Sequence, residues 1–280
     1  MLTRGQFIKG TGSVLLAAAG LGAYAWFVEP HWIEIVERSL PIRNLPESLD
    51  GATVVQLSDL HVGQHVADDY ILDVFATLEQ LKPDIVVLTG DLTNYHSGAI
   101  EQAKRVYSRM PHGALATVAI LGNHDYGVNW SDAAHADRLA QAMSDLGISV
   151  LRNESIDISG LRIIGLDDLW AGRFDPKSAV ASPDPALPAI ALSHNPDTVD
   201  LDGWGSFVGW VLAGHTHGGQ CKPPFLAPPL LPVENKRYTS GEFALPGGRR
   251  MYVSRGIGHL RVHARFNVRP EVTVFRLRPA

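Results

Sequence analysis

Asp59-Leu60-His61 places a carboxylate and an imidazole two residues apart, and His215-Thr216-His217 repeats the spacing with two imidazoles. In an extended segment, residues i and i+2 face the same side, so each pair can reach one ion. Asp91, Asn123 and His194 stand singly elsewhere in the chain. These seven residues offer nitrogen and oxygen donors without thiolate. That chemistry suits manganese, iron, zinc or cobalt rather than a Cys-rich structural zinc site. Seven ligands exceed what one tetrahedral ion takes, and suit two ions that share a ligand. Two divalent ions about 3.5–4 Å apart repel by on the order of 20 kcal/mol at an effective dielectric of 20. An anionic bridge is therefore required, and Asp91 is the carboxylate free to supply it. A bridging hydroxide would complete the pair and act as nucleophile, because metal binding brings the pKa of water towards neutrality.

The elements that must position these residues are legible as alternating periodicities. Apolar runs at Thr53–Leu57, Ile85–Leu88 and Thr117–Leu121 read as buried strands. They end at Ser58-Asp59, Gly90-Asp91 and Gly122-Asn123. Residues 189–192 and 207–212 read as further strands, ending at Ser193-His194 and Gly214-His215. Asp68–Leu81 has helical spacing and stops at Lys82-Pro83, and Ser131 is placed to cap a helix ending near Gly147. Residues 155–166 read as a hairpin turning at Ser159-Gly160, and residues 251–254 and 272–277 as late strands. Strand–helix alternation followed by mostly strands predicts a layered α/β (α+β) fold. Ligands of open α/β sheets gather at the carboxyl ends of the strands, where the polar residues fall here.

The chain has 280 residues, 45% of them hydrophobic, enough for one large domain over residues 50–280. A net charge of −5 argues against a nucleic-acid-coating surface. A single cysteine, Cys221, excludes an intrachain disulfide and reads as a packing residue. Residues 1–29 are the compositional outlier. Arg4 and Lys9 precede an apolar run from Gly12 to Val28, which reads as a membrane anchor or a signal segment, with Ala23-Tyr24-Ala25 as a cleavage site. Basic residues ahead of the run place the N-terminus in the cytoplasm and the domain on the outer, periplasmic side of the inner membrane. Thr3 to Lys9 is similar to a twin-arginine export signal with Gly5 in place of the second arginine. Residues 30–49 read as a connector.

Taken together, Asp59-x-His61, Gly90-Asp91, Gly122-Asn123-His124-Asp125, His194 and Gly214-His215-x-His217 resemble the five ordered motifs of the calcineurin-like metallophosphoesterases. The resemblance spans roughly residues 50–278. It implies a four-layer metallophosphoesterase fold, two packed mixed β-sheets flanked by helices. It assigns Asp59, His61 and His217 to one metal and Asn123, His194 and His215 to the other, with Asp91 between them. His124 would contact the phosphate and protonate the leaving oxygen, with Asp125 either orienting it or serving a purely structural hydrogen-bonding role. Gly218-Gly219-Gln220, Lys236-Arg237-Tyr238 and Arg265-Phe266 look like the bacterial membrane-associated phosphodiesterase branch, whose neighbours include UDP-2,3-diacylglucosamine pyrophosphatases.

The expected activity is a dinuclear-metal phosphohydrolase, a phosphodiesterase acting on a membrane lipid or nucleotide–lipid. An exported domain argues against a nucleotide-activated substrate. The apolar, proline-stiffened stretch Pro223–Pro232 would suit acyl chains or a membrane surface, or would pack on the domain. A phosphomonoesterase with a small closed pocket is the alternative within enzymes. A non-catalytic metal-binding scaffold is the alternative outside them, and its signature, missing ligands, is absent. His31, His65, His96, His112, His135, His259 and His263 lie outside the motifs and read as surface or packing residues. The pair Asp167-Asp168 reads as solvated.

Overall fold

The computed structural model describes residues 4–180, 187–260 and 262–280. Thr3 of the export-signal-like stretch lies outside them. The strands are β1 (Glu34–Ile42), β2 (Thr53–Leu57), β3 (Ile85–Thr89), β4 (Ala116–Ile120), β5 (Ser149–Val150), β6 (Glu154–Ile158), β7 (Leu161–Gly165), β8 (Ala189–Leu192), β9 (Trp210–Ala213), β10 (Gly241–Ala244), β11 (Arg250–Val253) and β12 (Glu271–Pro279). The helices are α1 (Arg4–Phe27), α2 (Asp68–Leu81), α3 (Ala99–Tyr107), α4 (Ala133–Ser144) and the short α5 (Pro176–Val180).

Two six-stranded mixed sheets form, in the orders β1-β12-β2-β3-β4-β5 and β10-β11-β9-β8-β7-β6. The period-two alternation of each strand feeds two different cores. Val54, Ile85, Val87, Val118 and Ile120 face Ile163, Ile190, Leu192 and Leu212 of the other sheet. Their neighbours Val55, Leu57, Val86, Leu88 and Ala119 face the helical layer. There α2 presents Ile71, Val74, Phe75 and Leu78, an i, i+3, i+4, i+7 stripe. The outer face of the second sheet is covered by α5, a short turn at Pro196–Asp200 and loops, through Ala179, Val199, Trp204 and Tyr238. This is the expected architecture of two mixed sheets with flanking helices, thinner on its second outer side.

Several details differ from the sequence reading. Residues 34–42, within the stretch read as a connector, form β1, paired in parallel with β12 from Glu34↔Glu271 to Ile42↔Pro279. Strand β9 begins at Trp210 rather than Phe207 because Phe207 packs on the outer cluster with Trp204. The cap of α4 is Asp132, not Ser131: its carboxylate accepts from the His135 amide at 2.9 Å. The apolar span Thr11–His31 runs along α1 and just past its end, and among the described residues none from Thr11 to Val28 is buried, whereas Glu29 and Pro30 are.

The two sheets share Phe275, which is fully buried and meets Tyr252 edge-on at 5.2 Å. Phe275→Ala should lower unfolding free energy by about 3–5 kcal/mol, read from chemical denaturation midpoints at unchanged slope. A loss below about 1 kcal/mol would contradict a close-packed interface there.

Candidate metal centre

The site is built at the carboxyl ends of five strands. Adjacent parallel strands β2, β3 and β4 deliver Asp59, Asp91 and Asn123, and adjacent parallel strands β8 and β9 deliver His194 and His215. Beneath them the two sheets are pinned by Gln56, whose amide donates at 2.9 Å to both Thr89 Oγ1 and the Ala213 carbonyl. Six of the seven residues singled out in the sequence, Asp59, His61, Asp91, His194, His215 and His217, converge, Asn123 follows the strand next to β3, and each of the seven is at most 4% exposed.

The backbone that turns these side chains inward is unusual. Asp59, His61, Asp91, His215 and His217 have φ of 54°, 50°, 51°, 70° and 49°, the left-handed region that side chains normally avoid. The loops are also packed too closely for side chains at two glycines. A methyl group on Gly122 would fall on the Asp91 carboxylate and 2.8 Å from His194 Cδ2. One on Gly214 would fall on Ser58 Oγ and 2.5 Å from Asp59 Oδ2.

Two triads result. Asp59, His61 and His217 converge so that one ligand atom of each lies within 4.8 Å of the others, and Asp91, His194 and His215 do the same. Within the first, His61 Nε2 faces His217 Nε2 at 3.1 Å, and His217 Nε2 lies 3.3 Å from Asp59 Oδ1. Within the second, His215 Nδ1 lies 3.2 Å from His194 Nε2. Asp91 Oδ2 links them, 3.6 Å from His61 Nε2 and 3.2 Å from His194 Nε2.

Outer contacts set the orientation of several of these groups. The far nitrogens of His194 and His215 meet carbonyls, Thr89 at 2.9 Å and Pro232 at 2.7 Å. Donation there leaves His215 Nδ1 as a lone pair aimed into the site and turns His194 Nε2 inward towards Asp91 Oδ2. Lys236 secures that outer contact by donating to the carbonyls of Leu231, at 2.8 Å, and Val233, on either side of Pro232. The His215 amide donates to both oxygens of Asp59, at 3.0 and 3.1 Å. The His124 amide donates to Asp91 Oδ1 at 2.9 Å, leaving Asp91 Oδ2 buried with no hydrogen-bond partner. Both polar side-chain atoms of Asn123 are likewise buried and unpartnered.

Burial dominates the charges. It pushes Asp59 up to about 6, against the opposing pull of His194. It draws His61 and His215 down to about 3 and holds His217 well below its ordinary range. Burial also opposes charge on His194, but Asp91, Asp59 and Asp168 outweigh it and push that imidazole up to about 10. Burial likewise opposes charge on Asp91, but His194 and His124 outweigh it and hold the carboxyl well below its usual range. Unpartnered buried carboxylate, amide and imidazole atoms, clustered and mostly neutral as bases, are the donor set a divalent cation takes.

Of its two expected parts, Asp125 has the contacts of the structural one. Its carboxylate accepts from Gly122 N at 2.9 Å, Leu92 N at 3.1 Å, Thr93 N at 2.8 Å and Thr93 Oγ1 at 3.1 Å. These bonds hold the turn carrying Asn123 and His124, and none joins Asp125 to the His124 ring. That ring makes no hydrogen bond among the described residues. It meets His61 edge-on at 5.0 Å and Trp130 at 6.3 Å. Asp167 and Asp168 are buried rather than solvated: Asp167 pairs with Arg152 at 3.0 Å and accepts from the Tyr126 hydroxyl, and Asp168 accepts from the Ala171 amide at 2.7 Å.

Sequence reasoning missed an aromatic wall. Trp130 and Trp170 stack at 4.8 Å, and Trp170 stands edge-on over His215 at 4.4 Å, so the pair runs from His124 to His215. Trp130 has φ of 58°, which nothing in the local sequence announces. Beside His124 lies a surface cavity of about 270 Å³, lined by Gln64, His65, Asn94, Tyr95, Val128 and Leu260.

This fold and donor set define a metallophosphoesterase, a hydrolase acting on phosphoester bonds, and the comparisons agree. Residues 52–219 match the calcineurin-like phosphoesterase family, and the chain belongs to it. The chain is 34% identical to the uncharacterized metallophosphoesterase YkuE of Bacillus subtilis strain 168, over 99% of this chain and 98% of that one. It is 33% identical to the phosphodiesterase YaeI of Escherichia coli K12, over 99% and 100%. It is 29% identical to the UDP-2,3-diacylglucosamine pyrophosphatase LpxG of Chlamydia trachomatis serovar D, over 94% and 95%.

Gly122→Ala should displace Asp91 and His194 and cut the metal bound per chain, read by elemental analysis of the purified, folded protein. Undiminished metal content in that variant would contradict the close packing of Gly122 on the site.

Proposed function

We propose that the protein is a phosphodiesterase whose clustered side chains hold two divalent cations. Asp59, His61 and His217 would hold one, Asn123, His194 and His215 the other, and Asp91 both. Manganese, iron, zinc and cobalt all fit this nitrogen–oxygen set. Bound there, the cations would polarise phosphoryl oxygens and lower the pKa of water towards neutrality. The observation that carries this reading is Asp91 Oδ2, buried, without a hydrogen bond, and between a histidine of each triad.

The chain's own residues supply the rest. His124 borders the cavity with its ring free of hydrogen bonds, and is placed to give a proton to the leaving oxygen. Asp125 acts as a positioning residue, holding the turn that presents Asn123 and His124. The cavity approaches the roughly 300 Å³ at which ligand pockets begin, and gives a second ester substituent room that a closed phosphomonoesterase pocket would deny. The Trp130–Trp170 pair lies against His124 and His215 of the same site.

A membrane phosphoester is the substrate class this reading favours. The relatives include a phosphodiesterase and a nucleotide–lipid pyrophosphatase, and α1 is long and apolar enough to enter a bilayer. With Arg4 and Lys9 ahead of the apolar run, the domain would lie on the periplasmic side of the inner membrane.

The test is hydrolysis of bis-p-nitrophenyl phosphate and p-nitrophenyl phosphate by the full chain, stripped of metal and reloaded with Mn²⁺. Metal-dependent cleavage with preference for the diester is expected, and preference for the monoester would overturn the diesterase assignment. Asp91→Asn should lose most of the activity, and near-wild-type turnover would sink its shared role. His124→Ala should slow an alkyl leaving group by roughly 10²–10⁴-fold and p-nitrophenolate far less, because only the poorer leaving group needs the proton. Equal losses on both would contradict proton donation.

A further inference from the structure

Lys222 to Pro232 forms a loop that leaves the candidate metal centre and returns to it. At its start, Gly219 packs against Pro228 so closely that a methyl group would overlap the proline. At its end, the Pro232 carbonyl meets the His215 ring. Between these anchors three large apolar side chains are exposed. Phe225 is fully exposed, Leu230 is 80% exposed and Leu226 is 64% exposed. Phe225 has φ of 66°, so the backbone accepts strain to hold a bulky apolar ring in solvent.

Helix α1 ends beside the same loop. The Ala25 carbonyl accepts from the Arg265 amide at 2.9 Å. The next residue, Phe266, is bracketed by the loop's root, donating to Gln220 at 3.1 Å and accepting from Lys222 at 2.8 Å. Glu29 is buried just past the helix and accepts from the Val268 amide at 2.5 Å. Trp26 and Trp32 flank the helix end and are both exposed, with Arg269 stacked 4.2 Å over Trp32. Exposed tryptophans beside an arginine at the end of an apolar helix are the composition of a membrane–water boundary.

We propose that the tip of this loop, Phe225, Leu226 and Leu230, docks into the lipid leaflet that α1 enters, as a second membrane contact beside the metal centre. The inference rests on the reading that α1 lies in the bilayer. The loop's composition favours lipid over a protein partner. Residues 222–232 contain five prolines and no acidic side chain. Proline carries no N–H, so an irregular loop of this kind leaves few backbone donors to desolvate at the headgroup level. Docking would hold the His215 edge of the site against the leaflet surface, where a membrane phosphoester presents its phosphate.

Single-cysteine variants of the full chain, in a Cys221→Ser background and reconstituted into phosphatidylethanolamine–phosphatidylglycerol vesicles, test this. Leu226→Cys, Leu16→Cys and Leu187→Cys each carry an environment-sensitive fluorophore, and lipids bearing a nitroxide on the acyl chain act as quenchers. Leu16 reports α1, and Leu187 lies just before β8, towards the strand end away from the metal centre. Quenching at Leu226 several-fold stronger than at Leu187 is expected, with Leu16 quenched most. Leu226 no more quenched than Leu187 while Leu16 is quenched would overturn loop docking, keep the membrane reading of α1, and leave the loop to a protein partner. Leu16 left unquenched would overturn both.

Discussion

Two carboxylates and four imidazoles share one buried space, and the rest of the molecule answers to that. Asp59, Asp91, His61, His194, His215 and His217 are each at most 4% exposed. Buried polar atoms cost free energy unless they are partnered, and charges cost more unless they are neutralised. The protein partners the outer atoms of His194, His215 and Asp91, and leaves Nδ1 of His61 and His217 without a hydrogen bond. His194 and His215 spend their far nitrogens on Thr89 and Pro232, and Asp91 spends Oδ1 on the His124 amide. What remains, Asp91 Oδ2 and the inward lone pairs of both triads, is balanced by no group of the chain except protons. In the proposed function, a pair of divalent cations would supply the balance.

That demand explains the backbone. Five of the converging residues sit in left-handed conformation, at roughly 1–2 kcal/mol apiece, or about 5–10 kcal/mol together. A sum of that size rivals the net stability of a whole domain, roughly 5–15 kcal/mol. Two sheets packed face to face can bear it, because the strain lies in loops clamped at both ends. Gln56 ties β2 to β3 and β9 below the site, and Asp125 ties three loop amides and a hydroxyl beside it. Both are buried polar side chains that touch no substrate space, and both act by fixing where the strand ends point.

Much of this was legible in the sequence because the strands are short, buried on both faces, and each ends on a polar residue. Thr53–Leu57, Ala189–Leu192 and the helix Asp68–Leu81 coincide with their predicted bounds, since apolar runs and a Lys-Pro stop are local signals. Strand β1 was not legible. It carries Glu34, Glu37, Arg38 and Pro41, and becomes a strand by pairing with β12, more than two hundred positions along the chain. The ordered motifs identified the family, and of the two parts open to Asp125 the hydrogen bonds of the turn match the structural one. Trp130 and Trp170 escaped notice because they are forty positions apart and meet only through tertiary packing, one of them in a backbone conformation that sequence does not reveal.

The central claim is that both triads bind metal at once and share Asp91. Electron paramagnetic resonance of the Mn²⁺-loaded full chain addresses that directly, since two manganese ions joined by a bridging carboxylate are magnetically coupled. The account predicts the spectrum of a coupled pair at full loading, collapsing to independent ions in Asp91→Asn. Independent, uncoupled Mn²⁺ signals from the fully loaded wild-type chain would contradict it.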